Sequence, residues 1–179
     1  MEASEHAYIR RECRAVQIPE GTPAVLSKGT RVRITQSLGG TYTVATERGY
    51  LFRIEARDAD ALGRTPTEPL NAADEGPLED RVWAQLRTCY DPEIPINIVD
   101  LGLIYSCEIL DRPEPGKKVE IKMTLTAPGC GMGPILAQDV KEKVSGLPGV
   151  EEADVEIVFD PPWSQGMMSE AARLELGML

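Results

Sequence analysis

Histidine is almost absent from this chain of 179 residues; His6 is the only one. It sits in a segment, Met1-Glu2-Ala3-Ser4-Glu5-His6, that reads as a loose tail. A Ser-His-Asp triad, a Cys-His dyad in an ordered core and a His-rich metal site are therefore all excluded. Aromatics make up 5% of the residues, so any core has to be aliphatic. No apolar run approaches the ~20 residues a membrane helix needs, and the acidic start does not read as a signal peptide. The four cysteines, Cys13, Cys89, Cys107 and Cys130, never come as a close pair. That argues against a zinc knuckle, a thioredoxin-type motif and a secreted disulfide framework, and it suits a reducing cytoplasm. Basic residues run short in one region only. Through Leu70 there are 10 Lys/Arg against 9 Asp/Glu; beyond it there are 9 against 20, a net −11. Such a surface repels phosphate backbones, so nucleic acid is not the expected partner. Solubility is a sufficient reason for the acidity.

The length allows one good core or two small ones, and the composition divides it. Cys13 to Ala56 reads as short strands. Val32 and Ile34 alternate with Arg31, Arg33 and Thr35, and Gly39-Gly40 is a hairpin signal, after which Tyr42 and Val44 resume the alternation. Glu47-Arg48-Gly49 makes a further turn before Tyr50, Phe52 and Ile54. A small antiparallel barrel or curled sheet over residues 1–63 is expected, loose at its N-terminal tail. Asp58 and Asp60 in the closing turn read as solvated acids, too few for a calcium loop. Residues 64–76, rich in Thr, Pro, Glu, Asn, Ala and Asp, read as a linker.

Residues 77–179 change character. Leu78, Val82, Leu86 and Cys89 lie on one helical stripe, with Glu79 and Asp80 early, as the helix dipole prefers. The proline-locked turn Asp91-Pro92-Glu93-Ile94-Pro95 ends that helix. Taken alone, its two carboxylates read as a helix stop with solvated acids, ahead of the alternative that they are pre-aimed ligands or proton acceptors. Leu103, Tyr105, Cys107 and Ile109 form one strand face, and Val119, Ile121, Met123 and Leu125 form the next. A helix over about 134–145 and a strand carrying Val155, Ile157 and Phe159 follow. A strand-helix-strand passage of this length suits a right-handed crossover between parallel neighbours. Asp160-Pro161-Pro162-Trp163 stops the strand, and a short helix with Ser169 near its start closes the chain. The predicted order is helix, two strands, helix, strand, helix, an α+β domain.

Between the second strand and the second helix lies Thr126-Ala127-Pro128-Gly129-Cys130-Gly131-Met132-Gly133-Pro134. Glycines flank the cysteine closely and let the backbone approach a ligand. Pro134 suits the first helical position. Free helix N-terminal amides beside Cys130 favour a thiolate. A helix terminus contributes about 0.3–2 kcal/mol, which takes the thiolate fraction at pH 7 from about 3% to between about 5% and one half. Cys130 is the candidate reactive thiol; the bland alternative is a small residue filling a tight turn.

Several separated motifs in order resemble a known family. Asp91-Pro92-Glu93-Ile94-Pro95, Asn97-Ile98-Val99-Asp100-Leu101-Gly102-Leu103-Ile104-Tyr105 and Thr126-Ala127-Pro128-Gly129-Cys130 are similar to the family that includes the bacterial SufT proteins and PaaD. Asp160-Pro161-Pro162-Trp163 and Met167-Met168-Ser169-Glu170 agree with it too. Eukaryotic members of that family serve cytosolic iron–sulfur assembly. The β module, with Cys13 near Ile18-Pro19, resembles the SufT subgroup. Gly131 stands where PaaD-type members have proline. The resemblance implies an accessory maturation factor, not an enzyme. Cys130 is implied as the reactive cysteine, supported by Thr126, Asp91 and Glu93, with Cys13 a candidate second thiol. A transient iron ion or iron–sulfur cluster on Cys130, Asp91 and Glu93 is implied as cargo. Assembly proteins and client apo-proteins are the implied partners, with a homodimer able to share a cluster between two Cys130 thiols. A metal-free adaptor and an accessory dedicated to one oxygenase are the alternatives.

Overall fold

In a computed structural model of the chain, the residues described are 5–38, 40–66, 76–91, 94–129 and 131–178. The fold is mixed α+β and divides into two compact units, Met1–Leu70 and Asn71–Leu179. Most of the expected linker lies outside the described residues.

The first unit is a six-stranded antiparallel sheet: β1 (Glu5–Tyr8), β2 (Cys13–Ile18), β3 (Thr22–Leu26), β4 (Arg31–Leu38), β5 (Thr41–Thr46) and β6 (Leu51–Glu55). The strand order is β1-β4-β5-β6-β2-β3, with β1 and β3 at the edges. Val32, Ile34, Val44, Phe52 and Ile54 line its core, as period-two alternation requires. Two expectations are corrected here. Residues 5–8 are not a loose tail; they form β1, with His6 opposite Arg33. An edge strand this exposed has only Ala7 partly covered, so no alternation marks it in the sequence. Asp58 and Asp60 are not merely solvated either. Both accept from the Arg11 guanidinium, at 2.8 and 2.6 Å, which holds the Asp60 carboxyl below its ordinary pKa.

The second unit contains α1 (Leu78–Leu86), β7 (Ile104–Asp111), β8 (Lys117–Met123), α2 (Gly133–Ser145), β9 (Val150–Ile157) and α3 (Glu170–Glu175). Its sheet runs β7-β8-β9, antiparallel then parallel. Val119, Ile121 and Met123 pack with Val82, Leu86, Leu136, Val140 and Val144 in one aliphatic core. On the opposite face Glu108, Glu120 and Asp154 stand in one row across the three strands. The Lys118 ammonium offsets this repulsion from 3.0 Å to Asp154 and 3.2 Å to Glu120. Part of the acid excess of this region therefore has a defined place.

The Asn97–Gly102 motif is a single helical turn capped at both ends. Asn97 Oδ1 accepts the Asp100 N–H at 2.9 Å, as an N-cap does. Gly102, at φ +77°, ends the turn: its N–H donates to Val99 O and that of Leu103 to Ile98 O. This is the Schellman pairing, which needs a left-handed residue at that position. Two carbonyls near the end of the turn are satisfied from the C-terminal segment. The Ser169 N–H donates to Asp100 O at 2.8 Å, and the Trp163 indole donates to Leu101 O at 2.7 Å. Tyr105 occupies a bulge between Ile104 and Ser106, and its hydroxyl donates to Pro161 O at 2.6 Å. Motifs some 60 residues apart are thus one structural object.

Candidate functional site

β8 ends at Met123, whose carbonyl accepts the Val158 N–H at 2.8 Å; the Thr124 N–H donates to Leu103 O at 2.8 Å. These bonds anchor the base of the loop that carries the motif cysteine. From there the chain rises into solvent. Thr126 is half-buried, and Ala127, Pro128 and Gly129 are exposed. Gly129 has φ +78°, and a Cβ built on it meets nothing within 4 Å. Its glycine is required by backbone conformation, not by crowding. Beyond the cysteine the chain dives again: Met132 is 1% exposed, and Gly133 lies so close to Leu125 that an added Cβ would stand 2.7 Å from Leu125 Cδ1. The two ends of the loop are therefore packed together, and α2 starts at once from its far end. Met132 is the N-cap and makes no side-chain cap, which leaves early α2 amides without a side-chain acceptor. Pro134 is the second residue of α2 and not the first, as expected from sequence. Cys130 itself lies outside the described residues.

Asp91 is 7% exposed. Its N–H donates to Ile96 O at 3.2 Å, and its Oδ1 accepts the Ile94 N–H at 3.0 Å. The carboxylate is thereby tied to the backbone of its own segment. Glu93 lies outside the described residues. Among the described residues no group of three His, Cys, Asp or Glu side chains is placed to hold a metal ion.

Three thiols are described, and their surroundings are those of packing residues. Cys89 is fully buried. Cys107 packs on the core opposite Ile121, and burial pushes its thiol up to about 11, with Glu79 adding to the rise. Cys13, the candidate second thiol, is 1% exposed in β2, with Sγ 3.2 Å from Arg14 O. Burial raises its pKa, and the charge of Asp58 raises it further. All three should resist alkylation. Iodoacetamide on the native protein at pH 7.5 is expected to leave Cys13, Cys89 and Cys107 unmodified by peptide mapping. Cys107 should begin to react only as the pH climbs toward about 11. Labelling of Cys107 at neutral pH would show its burial to be wrong.

The asparagine cap at Asn97 and the indole bond from Trp163 were not read from the sequence as working parts. The spacing Asn-x-x-Asp before Leu-Gly is the signal that finds the first; the second pairs a side chain with a remote carbonyl and leaves no local trace.

Residues 79–157 match the family model described as iron–sulfur cluster assembly protein, and that match lies wholly within the second unit. The Fe-S protein maturation auxiliary factor of Porphyromonas gingivalis is 44% identical over 101 residues, which are 56% of this chain and 92% of that protein. The chain belongs to the iron–sulfur cluster assembly protein family. Two further members are similar to it. The Fe-S protein maturation auxiliary factor YitW of Bacillus subtilis is 39% identical over 56% of this chain and 95% of its own length. The Fe-S protein maturation auxiliary factor SufT of Staphylococcus aureus is 40% identical over 49% of this chain and 96% of its own. These family members are matched almost end to end, while they match only about half of this chain.

Proposed function

We propose that this chain is an auxiliary factor in the maturation of iron–sulfur proteins, with Cys130 as its working thiol. The observation that carries the proposal is the match of residues 79–157, a range that includes Cys130, to the iron–sulfur cluster assembly protein family, with proteins named Fe-S protein maturation auxiliary factor similar to this chain over nearly their whole length. The setting of the loop supports it. An exposed Pro128-Gly129 arch rises from a packed base and runs straight into an uncapped helix start, which favours a thiolate over a thiol. The cargo is iron or an iron–sulfur cluster held transiently. Clusters are normally held by four ligands, so Cys130 acts with Asp91 and Glu93, or with a second Cys130 across a dimer. A low ligand count suits a protein that hands its cargo on. Carboxylates near the thiol raise its pKa unless a cation neutralises them, which links thiolate formation to metal arrival. Assembly proteins and client apo-proteins are the partners, the setting is cytoplasmic, and the chain works as a carrier or accessory without turning over a substrate.

In this reading the chain has two modules: a barrel-like β module through residue 63, and from residue 77 the helix-strand-strand-helix-strand-helix domain. Residues 64–76 join them. Cys13 serves as a second thiol only when its burial is relieved.

Asp91 supplies the test, because charge and turn can be separated there. Asn at 91 keeps an oxygen to accept the Ile94 N–H but removes the negative charge. Asp91→Asn is expected to leave the folded protein intact by circular dichroism. It should lower the rate at which the cluster-loaded factor activates an apo-aconitase-type client by about tenfold, the scale of losing one oxygen ligand or its support. An unchanged rate would remove Asp91 from the site. If Cys130→Ser also transferred normally, the metal-handling proposal would give way to a metal-free adaptor or a dedicated oxygenase accessory.

A further inference from the structure

The sheet of the second unit has two edges, β7 and β9. β7 is interrupted by the bulge at Tyr105, and such a kink discourages a further strand. β9 is regular from Glu152 to Ile157, where it pairs residue for residue with β8. On the helix side β8 is sealed: Val119, Ile121 and Met123 are at most 1% exposed. On β9 the same row stays open. Val155 and Ile157 are only half-buried, and Phe159, two residues on, is 49% exposed. A cleft of about 500 Å³ is lined here by Ile121 and Val155 from the strands and by Pro134, Ala137, Gln138 and Lys141 from α2. Those four α2 residues share one helical face. On its other side β9 presents Glu152, Asp154 and Glu156, all exposed. Asp154 ends the row Glu108–Glu120–Asp154. Lys118 meets these acids from β8, inside the sheet, so they carry negative charge out to the edge.

Charge on an edge strand guards it against self-pairing, and that accounts for the acids. It does not account for an apolar row left half-covered, with room beside it under a helix. A second copy does not fit there. Two β9 strands side by side would set acids against acids, which is repulsive. We infer that β9 is a docking edge for a partner polypeptide, which adds to it as a fourth strand and alternates basic with small apolar side chains. The period of two does the selecting. Every second side chain of such a strand faces Val155 and the α2 stripe, where Ala137 leaves room for valine-sized groups. Those between stand beside Asp154 and Glu156, where Lys or Arg is favoured. Backbone hydrogen bonds to β9 supply affinity, and the two rows of side chains supply specificity. The inference is independent of what Cys130 holds.

The experiment titrates the full chain into a fluorescein-labelled heptapeptide that alternates lysine or arginine with valine, followed by anisotropy. The peptide should bind, and a version with glutamate in the basic positions should not. Two further versions carry N-methyl groups on alternate backbone amides, one on each parity. One of them should lose binding and the other keep it, because a strand turns only alternate amides toward a given neighbour. Asp154→Asn combined with Glu156→Gln should weaken binding of the parent peptide about tenfold. Equal binding of the basic and glutamate peptides, or any other pattern across the two methylated ones, would overturn the inference. The methylation comparison uses the wild-type chain, so it decides the matter whatever the double variant does to the fold. A wild-type dimer, seen by sedimentation and dissociated by the peptide, would assign the edge to a second copy and overturn the inference as well. Failure on any of these counts leaves the Cys130 reading to its own test, client maturation by Cys130→Ser.

Discussion

Gly102→Ala is expected to cost the second unit about 3–5 kcal/mol, enough to unfold a domain of ordinary stability or bring it to the edge. Two terms add. The residue has φ +77°, where a side chain is strained by about 1–3 kcal/mol. The new Cβ would also stand 2.2 Å from the Met167 carbonyl oxygen. That oxygen is backbone and cannot swing aside, so the C-terminal segment has to shift, at the ~1–3 kcal/mol typical of overpacking. The shift pulls on Ser169 and Trp163, which hold the carbonyls of the same turn. Gly129→Ala is the control. It carries the same positive φ but meets nothing within 4 Å, so about 1 kcal/mol is expected. Both tryptophans of the chain, Trp83 and Trp163, belong to the second unit, so their fluorescence in a urea titration reports that unit alone. Equal midpoints for the two variants would show that the Gly102–Met167 approach is not as close as described.

Cys130→Ser is expected to abolish rescue of a deletion strain while leaving the fold untouched. Serine is close to isosteric with cysteine, so the substitution is the mildest available at that position. On the proposed reading the substitution removes a sulfur ligand or nucleophile, which a hydroxyl cannot replace near neutral pH. Aconitase-type activities in the complemented strain should fall to the level of the deletion, with the variant protein present at wild-type amounts. Full rescue would exclude any thiol-based role.

How much of this was legible beforehand depends on where the forces are local. The period-two run Val119–Leu125 and the period-four run Leu136, Val140, Val144 each describe a buried stripe, and β8 and α2 lie where those stripes predict. Ser169 reads as a helix start and is one: it accepts the Ala172 N–H at 3.1 Å. β1 escaped because an exposed edge strand imposes no alternation on its side chains. The Arg11 pairing with Asp58 and Asp60 joins residues 47 and 49 positions apart, and nothing in either segment names the other. The clasp of the C-terminal segment on the Asn97–Gly102 turn is of the same kind. It uses backbone carbonyls, which every sequence offers and none advertises. At the site, Asp91 was legible as an acid in a stiff turn but not as a buried one. Cys130 and Glu93 lie outside the described residues, so their geometry adds nothing to the motif that singled them out.

The most direct test of the central claim is iron and acid-labile sulfide retained after anaerobic reconstitution and desalting, measured for the wild-type chain and for Cys130→Ser. Wild type is expected to retain both in matched amounts and Cys130→Ser close to none. Equal retention by the two proteins would contradict the account, since the cargo would then be held without the sulfur on which it is built.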